Sequence, residues 1–453
     1  MRRWAAALGL LAACTSAPAP TPSGSASPGS IPPVSGADWP TYHRTPDRAG
    51  ALGGGTFAGA NEAWRSDQLD AEVYASPVVV GGKAFVATEN NTVYAFDVAT
   101  GRQAWSRHLG PPVDSGTLPC GNIQPVSGVT STPVADPAAG ALYVAAFLAP
   151  GRHRLFSLAL SDGAVRAEAG IDPPGEDPLV HQQRGALALG SGRVYVTYGG
   201  LFGDCGDYHG WVVGAPTGGG GNLAYQVPSG RAAGIWAPSG PALDAAGNVY
   251  VAAGNSFSDS GFDYGNAVIK LSPALGQLDW FAPANWQALN GIDGDLGSMG
   301  PLLLPDGLAF QAGKEGVGYL LRTSRLGGLG GQAASGAVCT GGGGVRGGVA
   351  AVPPLVYVPC PSGLVALRVE AAAPSFSVAW RGGGFAAGPP IVAGGAVWSA
   401  EAGGSSLYAL DPASGRRLYQ VQLGRMANFT TPAATDGYVL VVAGRRLVAL
   451  RLG

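Results

Sequence analysis

Charged side chains are scarce in this sequence of 453 residues, because Asp, Glu, Lys and Arg together supply only 12% of the chain, about half of the usual share. Only three lysines, Lys83, Lys270 and Lys314, and three methionines are present. This composition excludes coiled coils and long charged surface helices. The formal net charge of −2 provides no basic surface for nucleic acid. Since 46% of the residues are hydrophobic, the bulk of the chain is nevertheless expected to fold.

Several motifs that mark particular chemistries are missing. The five histidines are scattered without H-x-H or H-x-x-x-H spacing, and no C-x-x-C or C-x-x-C-H sequence occurs. These absences exclude the common zinc and attached-haem signatures. The lack of G-x-S-x-G and Walker sequences excludes those hydrolase and phosphate-binding motifs. We therefore interpret His181 and His209 as polar loop residues.

Long apolar runs are also missing, and the longest begins at the amino terminus. Arg2 and Arg3 precede an apolar run over 4–13 that is too short to span a membrane and is typical of a secretory signal. The sequence LAAC ending at Cys14 resembles a bacterial lipobox. We expect 1–13 to be a signal peptide, Cys14 to be lipidated and 14–37 to be a flexible Ser/Pro/Ala-rich tether. The alternative is an ordinary cleaved signal followed by a fortuitous cysteine.

These features predict an exported protein that a lipid attaches to the cell membrane or outer membrane. Removal of residues 1–13 would change the formal net charge from −2 to −4 and leave four cysteines. An even number of cysteines in an exported chain favours two disulfides, for which three connectivities exist. We favour Cys339–Cys360, because the two residues flank a strand signal and would close a local hairpin, and this leaves Cys120–Cys205.

Glycine and proline are abundant, with 75 and 36 residues, and they mark a repeat. Each copy contains short β-rich runs separated by polar or Gly-rich turns, and the first copy ends in D-x-x-T-G and a tryptophan. The copies are about 51 residues long, close to the length of a four-stranded propeller blade. The eight copies begin at Ser76, Thr132, Arg184, Gly240, Gly300, Gly348, Gly388 and Thr431.

The repeat predicts an all-β fold, an eight-bladed β-propeller of four-stranded antiparallel blades over residues 38–453. The eighth copy ends after its third strand, whereas an unmatched strand signal containing Trp64 precedes the first copy. We expect this N-terminal strand to complete the last blade, which removes a free sheet edge. A monomer is expected.

The repeats TVYAFDVATGRQAW and SLYALDPASGRRLY resemble those of the pyrroloquinoline quinone (PQQ)-like propellers, and DWPTYHRTPDRAG is similar to the segment before the first blade in that superfamily. The superfamily includes PQQ-dependent alcohol dehydrogenases and the propeller lipoprotein of the outer-membrane protein assembly machinery. The resemblance implies the fold. It does not select one function, because unrelated functions use the same propeller.

The resemblance also implies candidate site residues. Trp236 matches the tryptophan that stacks on the quinone, and Asn255 matches an amide ligand of Ca²⁺. Asp293 and Asp295 match a segment that supplies the catalytic base and a metal-binding carboxylate. Lys314, in AGKEG, matches the lysine that contacts the quinone oxygens. If the site is active, PQQ and Ca²⁺ are its cofactors.

Two parts of that site have no match. No adjacent cysteines are present to form the second wall of the quinone slot. The segment that carries a calcium-binding Glu in the family contains only Asp204 and Asp207, which we consider as substitute ligands. The leading hypothesis is therefore an envelope protein that binds a protein partner or small ligand on the ring face, without catalysis. The alternatives are a divergent PQQ- and Ca²⁺-dependent alcohol dehydrogenase and a scaffold for outer-membrane protein assembly.

Overall fold

The computed structural model describes Met1, Val34 and residues 36–453. The rest of the expected signal peptide, Cys14 and nearly all of the expected tether lie outside the described residues. Residues 60–453 form eight four-stranded antiparallel sheets, the blades of a propeller, which confirms the predicted all-β, eight-bladed fold. All eight repeats correspond to blades.

The four strands of each blade follow one another from the axis outward. In blades 1 to 4 they are Val78–Val80, Lys83–Ala87, Thr92–Asp97 and Gln103–His108; Val134–Asp136, Ala141–Leu148, Arg152–Ala159 and Val165–Gly170; Ala188–Gly190, Arg193–Gly200, Trp211–Pro216 and Leu223–Gln226; and Ala242–Leu243, Val249–Ala252, Val268–Leu271 and Gln277–Ala282. In blades 5 to 8 they are Leu302–Leu304, Leu308–Ala312, Val317–Arg322 and Ala334–Ala337; Ala350–Val352, Leu355–Cys360, Gly363–Glu370 and Ser375–Gly383; Ile391–Ala393, Ala396–Ala400, Ser406–Leu410 and Arg417–Gln422; and Ala433–Thr435, Tyr438–Ala443, Arg446–Leu452 and Ala60–Arg65.

A few short elements lie outside this pattern. Over the part of the chain that the structure describes, no helix is both long and apolar enough to cross a membrane. The short elements are the strands Val113–Asp114, Val126–Ser127, His181–Gln182 and Gly328–Leu329, the α-helix Trp286–Gly291 and the 3-10 turns Ser115–Thr117, Pro178–Val180 and Leu296–Ser298.

The outermost strand of blade 8 comes from the opposite end of the sequence. Ala60–Arg65 pairs antiparallel with Arg446–Leu452, with Ala60 opposite Leu452 and Arg65 opposite Val448. This pairing joins the two ends of the described chain and confirms the predicted closure of the ring.

The hydrophobic core is divided among the interfaces between neighbouring blades. Phe85 of blade 1, for example, packs in one cluster with Leu142 of blade 2. The D-x-x-T-G turn explains part of this packing. Gly101 has φ +71° and an added Cβ would lie 2.6 Å from the Trp64 ring, while the indole Nε1–H of Trp64 donates to Val98 O at 2.7 Å. Only glycine allows this contact. The same contact recurs between Trp105 and Gly163 and between Trp380 and Gly415.

The segment 39–52 follows the ring of innermost strands along the axis. Its Arg48 is 2% exposed, and the guanidinium donates to the oxygens Thr41 Oγ1, Tyr42 O, Pro241 O and Leu187 O at 2.8–3.2 Å. Backbone hydrogen bonds also join the segment to the middle of innermost strands, and we call 39–52 the axial segment. The strand residues that hydrogen-bond to it are Val79, Ala135, Leu243, Leu303, Ala351 and Val392.

Both expected disulfides are present, Cys120–Cys205 and Cys339–Cys360. Their positions differ in one respect from the expectation. Cys339 follows the outermost strand of blade 5, and Cys360 ends the second strand of blade 6. The second disulfide therefore joins two blades rather than closing a hairpin, because the blade boundary falls between its two cysteines.

Candidate functional site

The segments that lead into the innermost strands converge at one end of the propeller axis. Contacts between blades fix them there: Thr132 Oγ1 accepts from Ser76 N at 2.9 Å, and Ser239 Oγ accepts from Gly300 N at 2.8 Å. These short polar side chains replace missing strand partners where the backbone turns into each blade. We call this region the axial site.

The structure brings together the five residues that the resemblance assigns to a quinone site, which are Trp236, Asn255, Asp293, Asp295 and Lys314. Lys314 Nζ lies 2.7 Å from Asp293 Oδ1 and 2.6 Å from Asp295 Oδ2. The other carboxylate oxygen of Asp295, Oδ1, accepts from the backbone N–H of Asn255 at 2.7 Å. Lys314 Nζ is also 5.6 Å from the ring centroid of Trp236. The segments matched by resemblance therefore meet in one place.

Close backbone packing holds this group in position. A Cβ atom on Gly254 would clash with the Asp295 carboxylate and lie 3.1 Å from the indole nitrogen of Trp236. Backbone N–H of Lys314 donates to Asp295 O at 2.9 Å, which links the turn before Val317–Arg322 to the 3-10 turn Leu296–Ser298. Backbone hydrogen bonding and side-chain packing together thus orient the Lys314 ammonium and the Asp295 carboxylate.

Burial dominates the electrostatics of the pair. Asp295 is 4% exposed, and burial raises its pKa, against the nearby Lys314 ammonium. Burial also opposes the charge on Lys314, but the carboxylates of Asp295 and Asp293 outweigh it and raise the pKa of Lys314. Each charge therefore stabilises the other.

The arrangement differs in several respects from the calcium–quinone site that the resemblance implies. Lys314 Nζ and the Asn255 N–H each contact one oxygen of Asp295, so an ammonium lies beside the carboxylate that the resemblance assigns to a metal. Asp204 accepts from Tyr208 OH at 2.5 Å, and burial and the charges of Asp204 and Asp295 raise the pKa of Tyr208, whereas Asp207 is exposed. The described residues contain no group of three or more His, Cys, Asp or Glu that could hold a metal. Both disulfides join cysteines far apart in sequence, so the quinone slot lacks its second wall.

The axial site also contains residues that sequence reasoning missed. Arg184 points between two aromatic rings, with its guanidinium carbon 4.7 Å from the ring centroid of Phe429 and 5.6 Å from that of Tyr74. All three side chains are half-buried. Phe429 in turn lies 6.3 Å, ring to ring, from Trp236. A row of side chains therefore runs from Lys314 through Trp236, Phe429 and Arg184 to Tyr74.

A sequence signal for this row exists in the repeat alignment. Tyr74, Arg184 and Phe429 each stand four residues before the innermost strand of their blades, which are blades 1, 3 and 8. Thr130 and Arg346 hold the same position in blades 2 and 6. Comparison of one column across the eight copies would have identified residues that converge on the axis.

A second polar cluster lies beside the axial site. His181 is fully buried, with Nε2 2.7 Å from Glu176 Oε2, and His209 Nδ1 is 2.7 Å from Glu176 Oε1. The interpretation of His181 as a polar loop residue is wrong, because it begins a short strand and its ring packs inside. One carboxylate thus joins two segments around the loop 201–210, which the Cys120–Cys205 disulfide also holds.

Comparisons with known proteins agree with this architecture. Residues 56–201 match a family model described as outer membrane protein assembly factor BamB, and no curated protein matches the sequence. A quinohemoprotein alcohol dehydrogenase from Comamonas testosteroni superposes with a TM-score of 0.70 at 16% identity, covering 92% of this chain and 80% of the other. A europium-containing methanol dehydrogenase gives 0.69 at 14% identity, covering 92% and 98%. BamB from Moraxella catarrhalis gives 0.57 at 12% identity, covering 87% and 98%. Likenesses at such identities establish the fold.

Proposed function

Starting from this PQQ-like β-propeller, we propose that the protein is an exported, lipid-anchored binding module or scaffold of the cell envelope. Its axial site would bind a small ligand or an envelope protein, without catalysis. The observation that carries the proposal is the Lys314–Asp295 ion pair, which occupies the carboxylate that a metal would need. Membrane attachment through Cys14 and a monomeric state belong to the same proposal.

An oxidation assay tests this function directly. Purified protein is mixed with PQQ, Ca²⁺, an alcohol series and an artificial electron-accepting dye, and dye reduction is followed. We expect no alcohol-dependent reduction above that of cofactor and metal alone. Alcohol-dependent turnover that is lost in Asp295→Asn would overturn the proposal.

A divergent quinoprotein dehydrogenase is the second candidate, and the convergence of Trp236, Asn255, Asp293, Asp295 and Lys314 favours it. PQQ bound over Trp236 would quench its fluorescence. Micromolar PQQ with Ca²⁺ should then give saturable quenching that Trp236→Phe removes. If the quenching is absent or equal in both proteins, this candidate fails.

A scaffold for outer-membrane protein assembly is the third candidate, and the match of residues 56–201 to the BamB model favours it. This role predicts copurification with a membrane-embedded barrel protein. Cys14→Ser would reduce the copurification by releasing the propeller from the membrane. If the protein is purified from gently solubilised membranes and no barrel protein accompanies it, this role is contradicted.

A further inference from the structure

Arg184 differs from Arg48, the buried arginine near the axis. Arg48 donates to four oxygens, whereas Arg184 has no hydrogen bond or ion pair with any residue in 36–453. Burial lowers the pKa of Arg184, and Glu89 is the strongest opposing charge. Tyr74 and Phe429 provide only ring faces, which leave the N–H edge of the guanidinium without an acceptor. A half-buried cation with free donors is a ready receptor for an anion.

Glu89 is the carboxylate that acts most strongly on Arg184, but it forms no ion pair with the guanidinium. It is 1% exposed, and its Oε2 accepts from Gly128 N at 2.7 Å and Thr130 Oγ1 at 3.1 Å. The other oxygen, Oε1, is buried with no hydrogen-bond partner in the described chain. No ion pair joins it to Arg184, although the two groups affect each other's pKa. Burial raises the pKa of Glu89 to about 7, so the carboxyl is largely neutral in mildly acidic solution.

We propose that Arg184 binds the carboxylate of a ligand that enters along the propeller axis and lies between Tyr74 and Phe429. This inference rests on the proposed binding function and names the chemistry of its ligand. The planar guanidinium matches a carboxylate with two parallel N–H···O bonds, and the flanking rings favour a flat or apolar group beside it. Neither a metal nor a quinone is needed. The carboxylate comes either from a free small acid or from an acidic side chain of a protein.

Calorimetry of the purified full-length protein tests the site with two probes. Benzoate represents a free acid, and a short peptide with one glutamate represents a protein side chain. Arg184→Gln should weaken the affinity for the tighter-binding probe about tenfold. Arg184→Lys should weaken it about threefold, because lysine keeps the positive charge but cannot form two parallel hydrogen bonds to the carboxylate. Arg102→Gln, which changes an exposed arginine in the turn of blade 1, should leave binding unchanged. Whichever probe binds more tightly identifies the source of the carboxylate.

The pH dependence gives a readout that a merely structural Arg184 would not produce. Tyr42 and Tyr74 also act on Arg184, but burial raises both pKa values, so Glu89 is the group among these that changes charge near neutrality. Glu72 and Arg425 are the other charged groups that act on Tyr74. Affinity should fall about fivefold between about pH 6 and 8, because an ionised Glu89 repels the carboxylate of the ligand, and Glu89→Gln should abolish the fall.

The outcomes separate this inference from the function on which it rests. No binding of either probe at about 10 mM, or equal affinity in the wild type and Arg184→Gln, would overturn the carboxylate site. If Arg184→Gln does not fold, Arg184→Lys and the pH profile of Glu89→Gln decide instead. Alcohol oxidation with PQQ and Ca²⁺ would end the proposed function and leave carboxylate binding to be judged by these titrations alone.

Discussion

Replacing Lys314 by methionine should remove the only ammonium that the buried carboxylate of Asp295 contacts in the described chain. Breaking a buried ion pair from one side costs about 3–5 kcal/mol. Asp295 keeps its hydrogen bond from Asn255 N, and Lys314 is 18% exposed, so the lower end of that range applies. We expect a loss of about 3 kcal/mol at about pH 8.

The same variant should recover stability in acid. Burial already raises the pKa of Asp295, and removal of Lys314 raises it further. Since the folded variant then holds a proton that the unfolded chain has lost, its stability falls as pH rises above the ordinary carboxyl range. Most of the loss should disappear at about pH 4, where Asp295 becomes protonated, leaving about 1 kcal/mol from lost packing of the lysine stem.

Guanidinium unfolding followed by tryptophan fluorescence measures both effects. Lys83→Met, which changes a surface lysine of blade 1, serves as the matched control and should change stability by less than about 0.5 kcal/mol. The double variant Lys314→Met with Asp295→Asn should regain most of the loss at high pH, because it buries no charge. Equal destabilisation of Lys314→Met at both pH values would show that an unpaired Asp295 charge is not the cause of the loss.

Three further predictions concern stability and use the same unfolding assay. Between its ordinary pKa and a pH of about 7, Glu89 holds a proton in the folded protein but not in the unfolded chain. The free energy of unfolding of the wild type should therefore fall by up to about 3 kcal/mol as pH rises through that window, and that of Glu89→Gln should not. Parallel plots of unfolding free energy against pH for the two proteins would contradict this. Gly101→Ala should cost about 2–4 kcal/mol, because φ is +71° and the methyl group meets the Trp64 ring; a neutral effect would show that the turn relaxes. Arg48→Met should cost about 4 kcal/mol, because Thr41 Oγ1, Tyr42 O and Pro241 O would lose the donor that Arg48 provides, and wild-type stability would contradict the role of the axial segment.

The sequence was sufficient for the blades because each repeat encodes its own turns. Gly101 and Trp64 show why: the packing between blades needs a glycine with positive φ and an indole at fixed places, and both are visible as a motif. The predicted cluster around Asp295 was also accessible, since its segments carry recognisable patterns. A motif identifies residues that meet, but it does not say that Lys314 would bind the carboxylate itself.

Other features depend on contacts between distant parts of the chain. Arg48 reaches oxygens more than a hundred residues away, and no local pattern indicates its partners. Arg184 acquires its neighbours Phe429 and Tyr74 only when blade 3 faces blades 8 and 1 across the axis. Ring closure, rather than local propensity, determines the surroundings of these two arginines. The Glu176–His181 pair is local by contrast, since the two residues are five positions apart, but no motif marks it.

The proposed function requires that an ammonium, rather than a metal, lies on the Asp295 carboxylate of the axial site. A crystal structure of the protein grown with Ca²⁺ and PQQ distinguishes the two occupants. We predict Lys314 Nζ within bonding distance of both Asp293 and Asp295, with no metal beside Asn255. A calcium ion bound by Asn255 and Asp295, with Lys314 turned away from the carboxylates onto a quinone, would contradict the claim.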